Sequence, residues 1–423
     1  MENNRYINTS NFLIMFRKSL LLFLAIGISC LTTFGQEADI LIKNGTLIDS
    51  KNGINEKMDV AIKEGKVYRV EKSIPVEIAK KVVDATGMYI SPGLIDIHGH
   101  HFYGTAPNSY LSNGRSALPP DGFTFRSGVT TVVDVGGAGW KDFEQFKEQV
   151  IDGSKTRVLS FLNIVGSGMK GGKLEQNLED MDGTKTAAKA LEYKDLILGV
   201  KVAHFSGAEW KPVQEAVKAG NLANIPVMID FGGHIPELSL EKLLMKELRP
   251  GDIFTHAFAN VKGRTTLVDE ESGKIPDYVF KAQKRGIIFD VGHGGGSFRF
   301  SQALPAIKNG FLPNTISTDL HTGSMNGAMK DQLNIMSKFL NMGVPLESII
   351  EKSTWVPAQV IHRTDLGHLS VGAEADITIL SVRKGQFGFF DVVGEKIQGT
   401  RKLECELTLR AGAVVYDLNG ISY

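Results

Sequence analysis

The run SPGLIDIHGHH, residues 91–101, joins a Ser-Pro-Gly turn to an apolar segment that ends in three histidines within four positions. The whole 423-residue chain holds only ten His, so three of them at one segment end call for a reason. The β-branched, apolar middle of the run reads as a buried strand, and on a strand residues i and i+2 point the same way. His98 and His100 therefore project to one face with Gly99 leaving room between them. His101 falls on the opposite face and is assigned to packing.

Seven further runs share this character: TTVVDVGG (130–137), RVLSFLNIV (157–165), LILGVKVAH (196–204), IPVMIDFGG (225–233), DIFTHAFAN (252–260), GIIFDVGHG (286–294) and NTISTDLHT (314–322). Between them lie WKPVQEAVKAGNLAN, LSLEKLLMKELRPG and PDYVFKAQKRG, which carry helical spacing with Gly or Pro stops. Eight strands alternating with helices predict an α/β fold, a TIM-like (β/α)8 barrel over residues 91–365. Such a barrel gathers functional side chains at the C-terminal ends of its strands.

The flanks read differently. ADILIKNGTLID and MDVAIKEGKVYRVEK, within residues 36–90, alternate apolar and polar positions around Asn-Gly and Glu-Gly turns. GAEADITILSV and LTLRAGAVVYDLNG repeat that style within residues 366–423. The two flanks predict one small β-sandwich built from both chain ends. Residues 1–35 read as a secretory signal peptide, with Arg17 and Lys18 before SLLLFLAIGISCLTTFG and the small residues Thr33 and Gly35 ahead of a cut that leaves Gln36 first. Export to a periplasm follows, without stable membrane insertion after cleavage. Cys405 is then the only cysteine left, so no intrachain disulfide is expected.

Lys plus Arg and Asp plus Glu both number 47, so no overall basic field exists to draw in nucleic acid or an anionic membrane. A small-molecule substrate is the expected partner, and a homo-oligomer is compatible with the sequence.

The polar residues inside the barrel runs fall late in each. His98 and His100 end the first, Lys201 lies late in the fourth, Asp230 in the fifth, His256 in the sixth and Asp319 in the eighth. Imidazoles and carboxylates converging on one point suit Zn, Mn or Fe better than Ca or Mg. Lys201, flanked by Val200 and Val202, aims its amine into the barrel, where a bare ammonium is costly. Either it pairs with Asp319 or it becomes an anion. The loop GHGGGSFRF (292–300) predicts substrate grip through backbone N–H groups, with His293 as a substrate contact and Arg299 and His321 as further candidates.

PGLIDIHGH, the late Lys, His and Asp, and the runs RSGVTTVVDVGGAGW, LRPGDIFTHAFAN, FDVGHGGGSF, ISTDLH and MSKFLNMGVPLESIIEKSTWVPAQVI together resemble the amidohydrolase superfamily, in its dihydroorotase-like amidohydrolase/deacetylase branch. The resemblance spans residues 38–420. It implies two divalent metal ions, with zinc the first choice, and a Lys201 carboxylated to a bridging carbamate. His98 and His100 with Asp319 would hold the inner ion, and His256 the outer one. Asp319 would also be the catalytic proton carrier. The chain departs from the pattern on the fifth strand, where relatives carry His in a run like VMVH and this sequence has Asp230 in PVMID. Asp230 is expected in or near the ligand set, with His234 the alternative reaching back from the loop.

The expected activity is hydrolysis of an amide or ester bond in a small N-acyl or O-acyl carboxylate. A cyclic-amide hydrolase of the dihydroorotase or hydantoinase kind is the enzymatic alternative, and a metal-free binding barrel the non-catalytic one.

Overall fold

The protein is represented by a computed structural model that describes residues 36–103, 117–230 and 238–422. The expected signal peptide and His234 lie outside the described residues.

Five strands precede the barrel: β1 (Ala38–Asp49), β2 (Ile54–Lys63), β3 (Lys66–Glu71), β4 (Ala79–Asp84) and β5 (Tyr89–Pro92). The barrel strands are β6 (Leu94–Gly99), β7 (Val129–Val135), β8 (Arg157–Asn163), β9 (Ile197–Val202), β10 (Val227–Ile229), β11 (Ile253–Phe254) and β12 (Ile288–Phe289). They form one parallel sheet in chain order, and β6, β7, β9, β10 and β11 are buried at every position. Continuous burial is what a parallel sheet covered on both faces requires. Helices Gly183–Glu192, Lys211–Ala223, Asp277–Lys284, Phe300–Lys308 and Gln332–Asn341 follow the later strands. Pro212 sits in the first turn of Lys211–Ala223 and Asn224 ends it in the left-handed region, as both residue types favour.

The eighth expected strand is corrected to an extended segment without regular pairing. It bridges Asp290 to Thr315 on one side and Gly99 to Leu320 on the other. Val291 N donates to Thr315 O at 3.2 Å, and His100 N donates to Leu320 O at 2.9 Å. The curled sheet thus closes through isolated bridges and a few backbone hydrogen bonds on each side. The physical reason lies at Asp319, whose φ of 52° is left-handed backbone that no strand continues through.

After the barrel come β13 (Ile377–Phe390), β14 (Lys396–Arg410) and β15 (Ala413–Asp417). They join the first five strands in one sheet of order β15-β14-β13-β5-β1-β2-β3, with β4 also on β1. β1 forks, for Ala38–Lys43 pairs with β4 while Thr46 and Leu47 pair with β5. Ile42, Leu47, Val60 and Ile62 from one chain end share a core with Ile377, Ile379, Leu407 and Leu409 from the other. The union of the two ends holds; the described strands hydrogen-bond as a single forked sheet. Thr378 Oγ1 donates to Gly128 O at 2.6 Å, and Arg157 donates to Asp376 and Glu374 at 2.7 and 2.8 Å. Gly128 and Arg157 stand where β7 and β8 begin, so this domain docks on the N-terminal rim and leaves the opposite mouth to the site.

Candidate active site

The C-terminal ends of the barrel strands bring the expected residues together. Donor atoms of His98, His100 and Asp319 all lie within 4.8 Å of one another. His100 Nε2 is 3.0 Å from Asp319 Oδ1, and His98 Nε2 is 3.6 Å from the same oxygen. His100 Nδ1 is buried with no partner among the described residues. Burial works to raise the Asp319 pKa, but His98, His100 and His256 outweigh it and hold the carboxyl well below its usual range.

A buried relay fixes the state of His98. Thr255 Oγ1 donates to Asp290 Oδ2 at 2.7 Å, so toward His98 Nδ1, 2.9 Å away, the hydroxyl accepts. The proton is therefore on Nδ1, and the Nε2 lone pair faces the centre of the site. Asp290 is anchored further by Thr315 Oγ1 and Ser317 Oγ at 2.6 and 2.7 Å. Burial, reinforced by Lys201, pushes the His98 pKa down to about 3, so the imidazole stays neutral and free to ligate.

Lys201 is the next-to-last residue of β9, at 1% exposure. Its Nζ lies 3.3 Å from His98 Nε2 and 3.6 Å from Met228 Sδ, and among the described residues no carboxylate comes within ion-pair distance. Burial lowers its pKa, while Asp230, Asp319 and Asp290 pull the other way from farther off. The alternative of a direct pair with Asp319 is thereby set aside, and the amine sits against an imidazole and a thioether, neither of which neutralises an ammonium.

Asp230, just beyond β10, and His256, just beyond β11, form a second pair, with Asp230 Oδ2 3.2 Å from His256 Nε2. His256 Nδ1 donates to Gly292 O at 2.6 Å, and its Nε2 faces the Asp230 carboxylate. The His98 and His256 rings lie 5.0 Å apart, so the two donor groups adjoin. Arg264, which the sequence reading missed, places Nη1 3.3 Å from Asp230 Oδ1. Burial works to raise the Asp230 pKa, yet His256, Arg264 and Lys201 hold it well below the ordinary range. His256 and Asp319 both have left-handed φ, 57° and 52°, and such strain collects at functional sites.

A model for the amidohydrolase family matches residues 279–416. A deacetylase of Brucella anthropi is 33% identical over 345 residues, which cover 80% of this chain and 80% of that one. The chain belongs to the amidohydrolase family. A solved structure described as an adenine deaminase superposes with a TM-score of 0.81 at 28% identity, covering 90% of this chain and 100% of its own. Another, described as a dihydroorotase, gives 0.77 at 29% identity and covers 89% and 99%. The protein is thus a hydrolase of this family, and its fold is shared by relatives named for different reactions.

Other expected residues of this amidohydrolase stand apart from the cluster. His293 is 0% exposed; its Nδ1 donates to Gly294 O at 3.0 Å and its Nε2 faces Lys338 Nζ at 2.6 Å. Its ring stacks on Phe298 at 4.5 Å, so both nitrogens are engaged inside the protein. In the glycine loop, the amides of Gly292, His293 and Gly294 already donate to Ser317 Oγ, Ser317 O and Thr318 O, so the first part of the expected anion cradle is engaged within the protein. Close packing explains two of the glycines, Gly292 and Gly294. A Cβ on Gly294 would come within 2.2 Å of Asp319 Oδ2, and one on Gly292 within 2.4 Å of Thr255 Oγ1.

His101 faces away, as expected, with Nδ1 donating to Leu118 O at 3.0 Å. His321 stands at the mouth. Gly323 N donates to its Nδ1 at 3.0 Å, so its Nε2 carries hydrogen, 3.9 Å from Asp319 Oδ2. Arg299 precedes helix Phe300–Lys308 with its Nε unpartnered among the described residues.

Proposed function

We propose that this chain is an exported, divalent-metal-dependent hydrolase that cleaves the acyl bond of a small N-acyl or O-acyl carboxylate. The observation that carries this reading is the neutral, lone-pair-inward state of His98 beside His100 and Asp319. The donor set fits a borderline ion such as zinc. His98, His100 and Asp319 would hold one ion, Asp230 and His256 the other, and a carboxylated Lys201 would join both. Bound there, the metal pair supplies Lewis acidity toward the acyl carbonyl and an activated water at neutral pH.

The chain's own residues do the rest. Lys201, with its proton disfavoured by burial, presents the free amine that adds to CO2, releasing one proton and leaving a carbamate anion. Asp319, held as a carboxylate, accepts a proton at Oδ2 and returns it to the departing amine or alcohol. His321 Nε2 lies 3.9 Å from that oxygen, beyond hydrogen-bond distance. An amine leaving group needs the returned proton more than an alcohol does.

Metal analysis after loading with zinc and bicarbonate tests the reading. About two ions per chain are expected, and less than one would end it. Lys201→Ala and Asp319→Asn should each abolish hydrolysis across a panel of N-acetyl and O-acetyl carboxylates. Turnover confined to dihydroorotate or hydantoins would turn the assignment to a cyclic-amide hydrolase. Export predicts a mature protein that begins at Gln36, which intact-mass measurement reads directly.

A further inference from the structure

Arg264 lies in the loop after β11, outside every strand, yet its guanidinium enters the mouth. Its side chain is 6% exposed and sits 5.7 Å from the Phe254 ring centre. As a structural ion pair it is poor, because one long contact of 3.3 Å joins Nη1 to Asp230 while Nη2 is buried with no partner among the described residues. A buried cation with an unmet donor weakens a fold, so stabilisation does not account for it.

Its effect on Asp230 does. Oδ1 is taken by Arg264, which leaves Oδ2 facing Nε2 of His256 across 3.2 Å. At that distance a proton or a cation lies between the two atoms. A carboxylate that already accepts from a guanidinium gives less charge to any ion it ligates, and a fixed positive charge one carboxylate away repels that ion.

We propose that Arg264 is the built-in counterion of the Asp230–His256 half-site: it confines Asp230 to one donating oxygen, offsets its charge, and thereby keeps a divalent ion there loosely held and strongly polarising. This rests on the metal-dependent reading above. The two half-sites are therefore unequal, with the His98, His100 and Asp319 group binding tightly and the Asp230 and His256 group weakly.

Zinc affinities of the full enzyme, measured by competition with a chromophoric chelator, test this without recourse to activity. Arg264→Leu and Arg264→Gln should bind the weaker zinc about tenfold tighter or more, with the tighter site unchanged. Arg264→Lys keeps the charge and should stay within about threefold of the wild type. Asp230→Asn should lose the weaker zinc. Far-UV circular dichroism screens each variant for folding, and Arg264→Gln serves if the leucine variant does not fold. An unchanged or weakened second site in the neutral variants overturns the proposal, as does retention of the second zinc in Asp230→Asn. A wild type that binds one zinc also overturns it while leaving the hydrolase reading in place; one that binds none overturns both.

Discussion

At the scale of single residues, the chemistry depends on groups that never touch the centre. Thr255 is the clearest, since its one hydroxyl donates to Asp290 and accepts from His98. Thr255→Val keeps the shape and removes both bonds, which frees His98 to take the wrong tautomer and leaves Asp290 short of a donor. Metal affinity at the tight site should fall roughly 10–100-fold, and unfolding free energy by about 1–3 kcal/mol. Chelator competition and urea titration measure the two, and unchanged affinity would remove the relay. His98, His100, Lys201, Asp230, His256 and Asp319 were all legible in the sequence, because each interrupts an apolar run near its end. Thr255, Asp290 and Arg264 were not. Thr255 and His98 are 157 residues apart, and a Thr, an Asp or a loop Arg has many ordinary reasons to be where it is.

At the scale of elements, the glycine loop and helix Gln332–Asn341 show how packing can overrule a pattern. A run of glycines beside a histidine suggested an anion cradle, but the amides of Gly292, His293 and Gly294 are committed to the eighth segment, and nothing in the letters reveals how close Asp319 comes to Gly294. Lys338 on that helix locks the loop from behind, with Nζ 2.6 Å from His293 Nε2 and 2.8 Å from Ala328 O. Burial pushes its pKa down to about 7, against about 10.4 for a free lysine. Between those values the unfolded chain binds more protons than the folded one, so stability rises with pH through that window. Lys338→Met removes the group. Its unfolding free energy should rise less steeply above pH 7 than the wild type's, by up to about 1.4 kcal/mol per pH unit. Urea titrations at several pH values compare the slopes, and parallel slopes would mean that Lys338 keeps its proton.

At the scale of the whole molecule, a barrel was legible because eight apolar runs at regular spacing leave few alternatives, and the shared fate of the two chain ends because both carry the same alternation. What the letters could not carry is how the pieces join, since that depends on pairs far apart in sequence. Arg157 at the start of β8 reaches Glu374 and Asp376, and Arg410 on β14 reaches the same two carboxylates. Ile377, Ile379, Leu407 and Leu409, all fully buried, complete a core begun by β1 and β2. Removing residues 366–423 would strip β5 of its partner β13, uncover Ile42, Leu47 and Ile90, and leave Arg157 partly buried without its carboxylates. Exposed strand edges beside bare apolar surface promote aggregation. The shortened chain should therefore be insoluble or lack a cooperative unfolding transition, although every residue expected to bind metal is still present. Soluble yield and circular dichroism melting decide it. A truncated chain that stayed soluble, melted cooperatively and bound zinc would make the barrel independent of the terminal sheet and reduce the two arginines to surface ties.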